Sequence, residues 1–237
     1  HVGHGLDIFD ISDPYEPSLV AEIGPANGYP APMEDCHTLW LQPDRSLLYC
    51  ASIVDGGLQI LSTGEGSVGT PTAPVHLSSV ALDGDWGIHD MYASGNTLYG
   101  AFLDAGIGIW DITDPTDPVL IAREIYANSF THNLWLAHDG DYVLSTDEND
   151  GGHLKIWDIR ALPDITLVAE YQSNPDAIIH NVEVIDEYAY ISYYTDGVKV
   201  VDLSDPTEPV EVGSFDTHDG PDSDGFEGLW GIEPIPP

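Results

Sequence analysis

Histidines recur at the start of short alternating strands in this sequence, and their side chains could bind a metal ion. Four segments share this arrangement, and a fifth predicted strand carries tryptophan in place of histidine: His37-Thr-Leu-Trp-Leu, His89-Asp-Met-Tyr-Ala, His132-Asn-Leu-Trp-Leu, His180-Asn-Val-Glu-Val and Trp230-Gly-Ile-Glu-Pro. Neutral imidazole is a ligand for zinc, copper, iron and nickel. The five residues are therefore candidates for a ring at a channel mouth that binds a transition metal. The alternative is that each imidazole bonds backbone groups of a neighbouring repeat and serves only packing.

Carboxylates near the histidines sharpen the metal hypothesis. The candidate partners are Glu34, Asp90, Asp147 and Glu148. Mixed histidine and carboxylate ligands could hold a divalent metal together with water, which is the arrangement that metal-assisted hydrolysis needs. The sequence contains no His-x-His or His-Glu-x-x-His spacing, so the metal hypothesis depends on the predicted fold and not on a local motif.

An acidic loop before the last predicted strand is a second candidate site. Asp222, Asp224 and Glu227 supply oxygen ligands in a glycine-bearing turn, and oxygen ligands are what a hard cation such as calcium prefers. The loop does not follow the twelve-residue EF-hand pattern. The alternative interpretation is a solvated acidic loop without a bound ion.

Signatures of nucleophilic catalysis are missing from the sequence. There is no Gly-x-Ser-x-Gly segment and no glycine-rich phosphate loop. No catalytic residue is predicted, and the sequence favours a protein that is not an enzyme.

The elements that must position these side chains form a repeat. Five copies of a strand, three of which run directly into an Asp-Pro turn, align on Leu6, Leu58, Ile107, Leu154 and Val198, with separations of 52, 49, 47 and 44 residues. Each copy after the first is preceded by a histidine strand and then a second short strand. Most copies are followed by a fourth short strand. Four short strands repeated at this period predict the blades of a β-propeller.

The repeats predict one all-β domain over residues 1–237. Five repeats are visible, which predicts five blades, or six if the chain ends are trimmed. The sequence begins at His1 without methionine, and we expect a processed or excerpted chain.

Charge and composition restrict the partners. Five Lys and Arg residues stand against 41 Asp and Glu residues, giving a formal charge of −36. Such a charge repels nucleic acid and anionic membranes. The sequence also lacks the run of about 18 apolar residues that inserts into a membrane. Cys36 and Cys50 flank a predicted hairpin, and they form either a cross-strand disulfide or two free thiols.

The repeated segments also resemble a known family. Gly5-Leu-Asp-Ile-Phe-Asp-Ile-Ser-Asp-Pro14, the His-Asn strands and Gly225-Phe-Glu-Gly-Leu-Trp-Gly-Ile-Glu-Pro234 are similar to the LVIVD-repeat proteins, which include choice-of-anchor B domains. The resemblance implies a secreted or cell-surface bacterial or archaeal β-propeller without a general enzymatic activity. We therefore predict an extracellular, cell-surface or periplasmic binding scaffold with a protein or surface-assembly partner. The alternative is a metal-dependent hydrolase or oxidoreductase that uses the histidine ring.

Overall fold

The computed structural model describes residues 5–53, 57–82 and 87–235, including all of their side chains except those of Ala31 and Pro32. Short strands and four short 3-10 helices form the described chain. The strands are β1 (Leu6–Asp10), β2 (Ser18–Ile23), β3 (Thr38–Gln42), β4 (Leu47–Ala51), β5 (Leu58–Ser62), β6 (Val75–Val80), β7 (Asp90–Ser94), β8 (Thr97–Ala101), β9 (Ile107–Asp111), β10 (Val119–Glu124), β11 (Thr131–Ala137), β12 (Tyr142–Asp147), β13 (Leu154–Asp158), β14 (Thr166–Tyr171), β15 (Ile179–Ile185), β16 (Tyr188–Tyr193), β17 (Gly197–Asp202) and β18 (Val210–Phe215). The 3-10 helices are η1 (Pro25–Asn27), η2 (Ala31–Glu34), η3 (Glu65–Ser67) and η4 (His138–Gly140). None of these helices has the length and hydropathy to cross a membrane.

Consecutive strands pair to form the sheets. Four sheets in the described chain have four strands each, in the orders β3-β4-β5-β6, β10-β9-β8-β7, β11-β12-β13-β14 and β15-β16-β17-β18, and β1 pairs with β2 in a two-stranded sheet. The blades of a β-propeller are four-stranded sheets of this kind. The prediction of an all-β propeller with four-stranded blades is confirmed, with the first repeat contributing two described strands.

The chain divides into two compact units. The described residues within 1–99 and 110–120 form the first, and those within 100–109 and 121–237 form the second. The single domain over residues 1–237 remains a prediction.

Aspartate side chains of the Asp-Pro turn accept hydrogen bonds from residues that follow them in the chain. The Oδ1 atom of Asp111 accepts a hydrogen bond from the Thr113 amide at 2.7 Å. Three residues later, the Oδ1 atom of Asp114 accepts from the amide of Thr116 at 2.9 Å and from its hydroxyl at 2.7 Å. These bonds lower the pKa of both carboxyl groups. The Asp202 and Asp205 side chains make the same bonds after β17.

A glycine before several of the aligned strands has a steric cause. Gly197 has a φ of 73°, and a Cβ atom there would lie 2.3 Å from the carbonyl oxygen of Phe215. Gly57 occupies the same repeat position, with a φ of 67° and 2.2 Å between a built Cβ and the Val80 oxygen. Only glycine accommodates both the positive φ and the close backbone approach.

Apolar faces of neighbouring sheets form the core within each unit. In the second unit, Leu144, Ile156, Val182 and Ile191 belong to one fully buried cluster, which fills the space between the β11–β14 and β15–β18 sheets. The side-chain oxygen of Asn133 in β11 also accepts a hydrogen bond from the Val182 amide in β15, at 2.9 Å. Two histidine-bearing strands are thereby held side by side.

Cys36 and Cys50 form a disulfide, with their Cα atoms 5.3 Å apart. Cys50 lies in β4, and Cys36 lies just before β3. The amide of His37 donates to the carbonyl of Ala51 at 2.7 Å, so the two cysteines are held at neighbouring positions. Of the two alternatives that the sequence leaves open, the disulfide is found.

The prediction of a fifth histidine-type strand at Trp230 is wrong. No strand follows Phe215 in the described chain, which continues to Ile235. The Leu229 amide donates to the Tyr194 carbonyl at 2.8 Å, and the Trp230 carbonyl accepts a hydrogen bond from His180. The backbone groups of Leu229 and Trp230 thus bond to a loop and to a side chain, and this segment does not pair with a strand of any described sheet.

Candidate metal centre

The repeated histidines lie in pairs. In the first unit, the Nε2 atoms of His37 and His89 are 2.8 Å apart, and the ring centroids are 4.4 Å apart. In the second unit, the ring centroids of His132 and His180 are 4.3 Å apart, and the Trp230 ring lies 5.6 Å from that of His180. The structure therefore brings together two groups from the predicted ring, and the complete ring remains a prediction.

β-Bulges set the direction of the second pair. The register of β11 against β12 shifts between Thr131 and Asn133, which leaves His132 without a partner residue on β12. A shift of the same kind surrounds His180 in β15. A bulge turns a side chain away from the regular alternation of a strand. In contrast, β3 pairs with β4 without a shift, and His37 precedes β3.

Glu148, which directly follows β12, lies between the two imidazoles of the second pair. The Nε2 atom of His132 is 3.4 Å from Oε2 of Glu148, and the Nε2 atom of His180 is 3.7 Å from Oε1. One ligand atom from each residue lies within 4.8 Å of the others. Two ligands about 2.1 Å from a tetrahedral ion are about 3.4 Å apart. The cluster thus has the ligand types and spacing to hold a metal ion.

The surroundings of the cluster favour a bound cation. Only 2% of the His132 side chain and 16% of the Glu148 side chain are exposed. Burial raises the pKa of Glu148, and the hydrogen bond from Tyr194 opposes that shift. A carboxylate that is costly to ionise when buried gains stability from a neighbouring positive charge.

Two contacts outside the cluster orient its ligands. The His180 Nδ1 atom donates to the carbonyl oxygen of Trp230. Because a carbonyl oxygen only accepts, a neutral His180 has its proton on Nδ1 and a lone pair on Nε2, which faces Glu148. The Tyr194 hydroxyl donates to Oε1 of Glu148. Ligating histidines ordinarily have such a partner on the other ring nitrogen.

Asp147, a predicted carboxylate partner, serves the sheet instead of the cluster. Its side chain is buried and accepts from Lys155 Nζ at 2.6 Å, the Tyr126 hydroxyl at 2.6 Å and the Phe130 amide at 2.9 Å. A carboxylate satisfied by three donors has little capacity left to bind a metal.

The other two predicted partners belong to the first unit. Asp90 is buried and accepts from the Met91 amide at 2.7 Å, whereas Glu34 is exposed. Neither belongs to a converging group of three metal-ligating side chains. Over residues 5–53, 57–82 and 87–235, the second-unit cluster is the one such group.

The acidic loop does not gather its three carboxylates into such a group. Asp222 accepts a hydrogen bond from the side chain of Asn174 at 2.7 Å, Asp224 lines a cavity, and the Glu227 carboxylate lies over Gly225. The calcium site at Asp222, Asp224 and Glu227 remains a prediction from the sequence.

A cavity of about 680 Å³ in the second unit reaches the cluster. Glu148 forms part of its lining, together with Asp150, Glu170, Asp224 and Phe226. Solutes can therefore approach the carboxylate ligand from this side.

Sequence reasoning missed Tyr194 and the Trp230 carbonyl. The repeat contained a signal for Tyr194. When β16 (Tyr188–Tyr193) is aligned with β12 (Tyr142–Asp147), Tyr194 occupies the same position as Glu148. The Trp230 contact has no counterpart in the repeat, so no alignment of the repeats would have found it.

Comparisons with known proteins concern the repeat and the fold. The family model described as the LVIVD repeat matches residues 2–23, 88–124 and 178–217. No curated protein sequence matches the chain.

Solved structures of low sequence identity share the fold. A hypothetical selenium-binding protein from Sulfolobus tokodaii has a TM-score of 0.65 and 16% identity, over 89% of this chain and 56% of that one. A periplasmic gluconolactonase from Pseudomonas aeruginosa has a TM-score of 0.65 and 10% identity, over 85% of this chain and 61% of that one. A putative 6-phosphogluconolactonase from Bacteroides uniformis has a TM-score of 0.58 and 13% identity, over 76% and 57%. This chain thus spans roughly three fifths of each, and the likeness concerns the fold alone.

Proposed function

This chain is an LVIVD-repeat protein, and we propose from that premise that it is an extracytoplasmic β-propeller that binds its ligands without transforming them. The ligand that the described site fits best is a divalent transition-metal ion. One observation carries this proposal, namely the convergence of His132, Glu148 and His180 in a buried cluster.

The ligand types narrow the choice of metal. Two imidazoles and one carboxylate suit zinc, copper, iron or nickel, whereas magnesium and calcium prefer sites made of oxygen atoms. Among these ions, affinity generally rises towards copper and falls again for zinc. Zinc and copper are therefore the first ions to test.

Metal titration of the purified protein tests the proposal. We expect one Zn²⁺ ion per chain by calorimetry after treatment with a chelator, and elemental analysis should find the same ratio. The His132→Ala variant should lose this ion. His37→Ala is the matched control, because it removes the equivalent histidine of the first unit, and it should keep the ion. A wild-type protein that binds no stoichiometric Zn²⁺ or Cu²⁺ would sink the proposal.

The disulfide supports an extracytoplasmic location. Disulfides persist mainly in oxidising compartments, and Cys36 and Cys50 form one here. The formal charge of −36 disfavours nucleic acid as a partner, and we propose a protein or surface-assembly partner. Cross-linking on intact cells tests this, and recovery of the protein only as an uncomplexed monomer would count against it.

A second candidate function is metal-dependent hydrolysis or oxidation. It is favoured by the small number of protein ligands, because three ligands leave a coordination position open for water or substrate, and the cavity reaches Glu148. Two of the similar structures are described as lactonases. The test is hydrolysis of gluconolactone by the Zn²⁺-loaded protein, with Glu148→Gln as the control. Equal rates of gluconolactone hydrolysis in the wild type and in Glu148→Gln would reject this function.

A further inference from the structure

We infer that Tyr194 is a positioning residue of the metal centre, which holds one oxygen of Glu148 so that the carboxylate binds the metal through the other oxygen only. The inference rests on the proposed metal binding and adds a residue to it. It also predicts how many protein atoms coordinate the ion.

The hydroxyl of Tyr194 contacts the carboxylate from the side away from His132. It donates to Oε1 of Glu148, while Oε2 lies 3.4 Å from the Nε2 atom of His132. With Oε1 engaged by a donor, Oε2 is the oxygen presented to an ion beside His132. One oxygen and two imidazole nitrogens then make three protein ligands, and a fourth tetrahedral position stays open.

Tyr194 is itself held in place on several sides. Its amide donates to the Ile178 carbonyl at 3.1 Å, and its carbonyl accepts from the Leu229 amide at 2.8 Å. Its ring centroid lies 4.7 Å from that of His180 and 5.0 Å from that of Trp230. A side chain fixed by packing and backbone bonds can orient a ligand accurately.

The repeat indicates that the fold does not require a tyrosine here. The positions that match Tyr194 in the first two complete repeats are Ile53 and Leu103. An aliphatic side chain therefore satisfies the blade at this point. The Tyr194 hydroxyl therefore has no counterpart at the matching positions of those two repeats. It lies beside the one converging cluster in the described chain and donates to Glu148 there.

Co²⁺ binding to the Tyr194→Phe variant tests the inference, because the variant keeps the ring and removes only the hydroxyl. Loss of an outer partner typically weakens metal binding 10–100-fold, and we expect a decrease in that range. The visible absorption of bound Co²⁺ should also change, since it reports the number of ligands. Tyr193→Phe is the matched control, because Tyr193 is an adjacent buried tyrosine whose hydroxyl contacts the Ser173 amide at 3.4 Å. Its affinity and spectrum should equal those of the wild type.

The outcomes separate the two proposals. A wild-type protein that binds no Co²⁺ would overturn the metal centre and this inference together. Wild-type affinity and spectrum in Tyr194→Phe would overturn the role of Tyr194 alone. If that variant does not fold, a crystal structure of the Zn²⁺-loaded wild type decides. Glu148 bound through one oxygen, with Tyr194 on the other, supports the inference, and a carboxylate bound through both oxygens rejects it.

Discussion

The two histidine pairs occupy the same position in the repeat but have different neighbours. In the first unit, His37 and His89 contact each other through their Nε2 atoms, 2.8 Å apart. In the second unit, Glu148 lies between the Nε2 atoms of His132 and His180. The imidazoles therefore recur with the repeat, whereas a converging group of metal-ligating side chains also requires a neighbouring carboxylate.

Two local features account for this difference. The repeat position that Glu148 occupies in the β11–β14 sheet is occupied by Ile53 in the β3–β6 sheet. The second feature is the bulge at His132, which the pairing of β3 with β4 lacks. The carboxylate of Glu148 completes a group of three metal-ligating side chains, and the bulge turns the His132 imidazole out of the regular alternation of β11. Within the described chain, the strands and histidines thus recur in both units, while the converging group of three metal-ligating side chains lies in the second unit.

Removal of the carboxylate should abolish the difference between the two pairs, and this is the largest effect that we predict. Glu148→Gln replaces an anionic ligand by a neutral amide of the same shape. We expect Zn²⁺ affinity to fall by more than the roughly 10–100-fold typical of outer partners, as measured by calorimetry. Asp90→Asn, a change beside the first pair, should leave affinity unaltered. Equal losses in both variants would mean that the ion is not bound at His132.

The reverse experiment introduces a carboxylate beside the first pair. If the residue at the repeat position of Glu148 alone decides metal binding, Ile53→Glu should raise the stoichiometry from one Zn²⁺ ion per chain to two. Elemental analysis after gel filtration measures this directly. A ratio that stays at one would show that the bulge is also needed for metal binding, because the pairing of β3 with β4 has no bulge beside His37. Ile53→Gln is the control for the change in polarity.

Much of this comparison could be read from the sequence. The repeat period and the Asp-Pro turns predicted the blades, and the histidine strands indicated which imidazoles recur in the repeat, although the ring of four remains a prediction. The sequence could not distinguish Asp147 from Glu148, because neighbouring side chains at the end of a strand point in different directions. Asp147 bonds Lys155, and only Glu148 reaches the histidines.

Features that depend on register or on non-repeating segments were beyond the sequence. A bulge adds one residue to a strand without a composition signal, so the placement of His132 was not predictable. The segment around Trp230 has the pattern of a histidine strand, yet its backbone bonds to His180 and Tyr194. Local pattern cannot tell whether a partner strand is available.

The two regions should respond alike where only their shared architecture is tested. Gly57→Ala and Gly197→Ala each place a Cβ atom 2.2 or 2.3 Å from a carbonyl oxygen at a residue with positive φ. A positive φ alone costs about 1–3 kcal/mol at a non-glycine residue, and the close backbone approach adds to this cost, so each variant should have a lower melting temperature than Gly95→Ala. Gly95→Ala is the control, because its φ of 55° is also positive but nothing lies within 4 Å of a built Cβ atom. A large loss in only one unit would show that the repeats are not equivalent in stability.

The smallest effect concerns acid stability, and it should also be common to both regions. Hydrogen bonds from Thr113 to Asp111 and from Ser204 to Asp202 lower the pKa of each carboxyl group below its ordinary value. A lowered folded-state pKa means that the stabilisation is present above that value and is lost as pH falls through the folded pKa. Asp111→Asn and Asp202→Asn should therefore each make the melting temperature slightly less dependent on pH below about 4. Asp111 is exposed and Asp202 is only partly buried, so the change should be a small fraction of the total acid dependence. If the melting temperature depends equally on pH in the wild type and both variants, these bonds do not contribute to acid stability. A change in one variant only would show that the two turns, like the histidine pairs, have diverged.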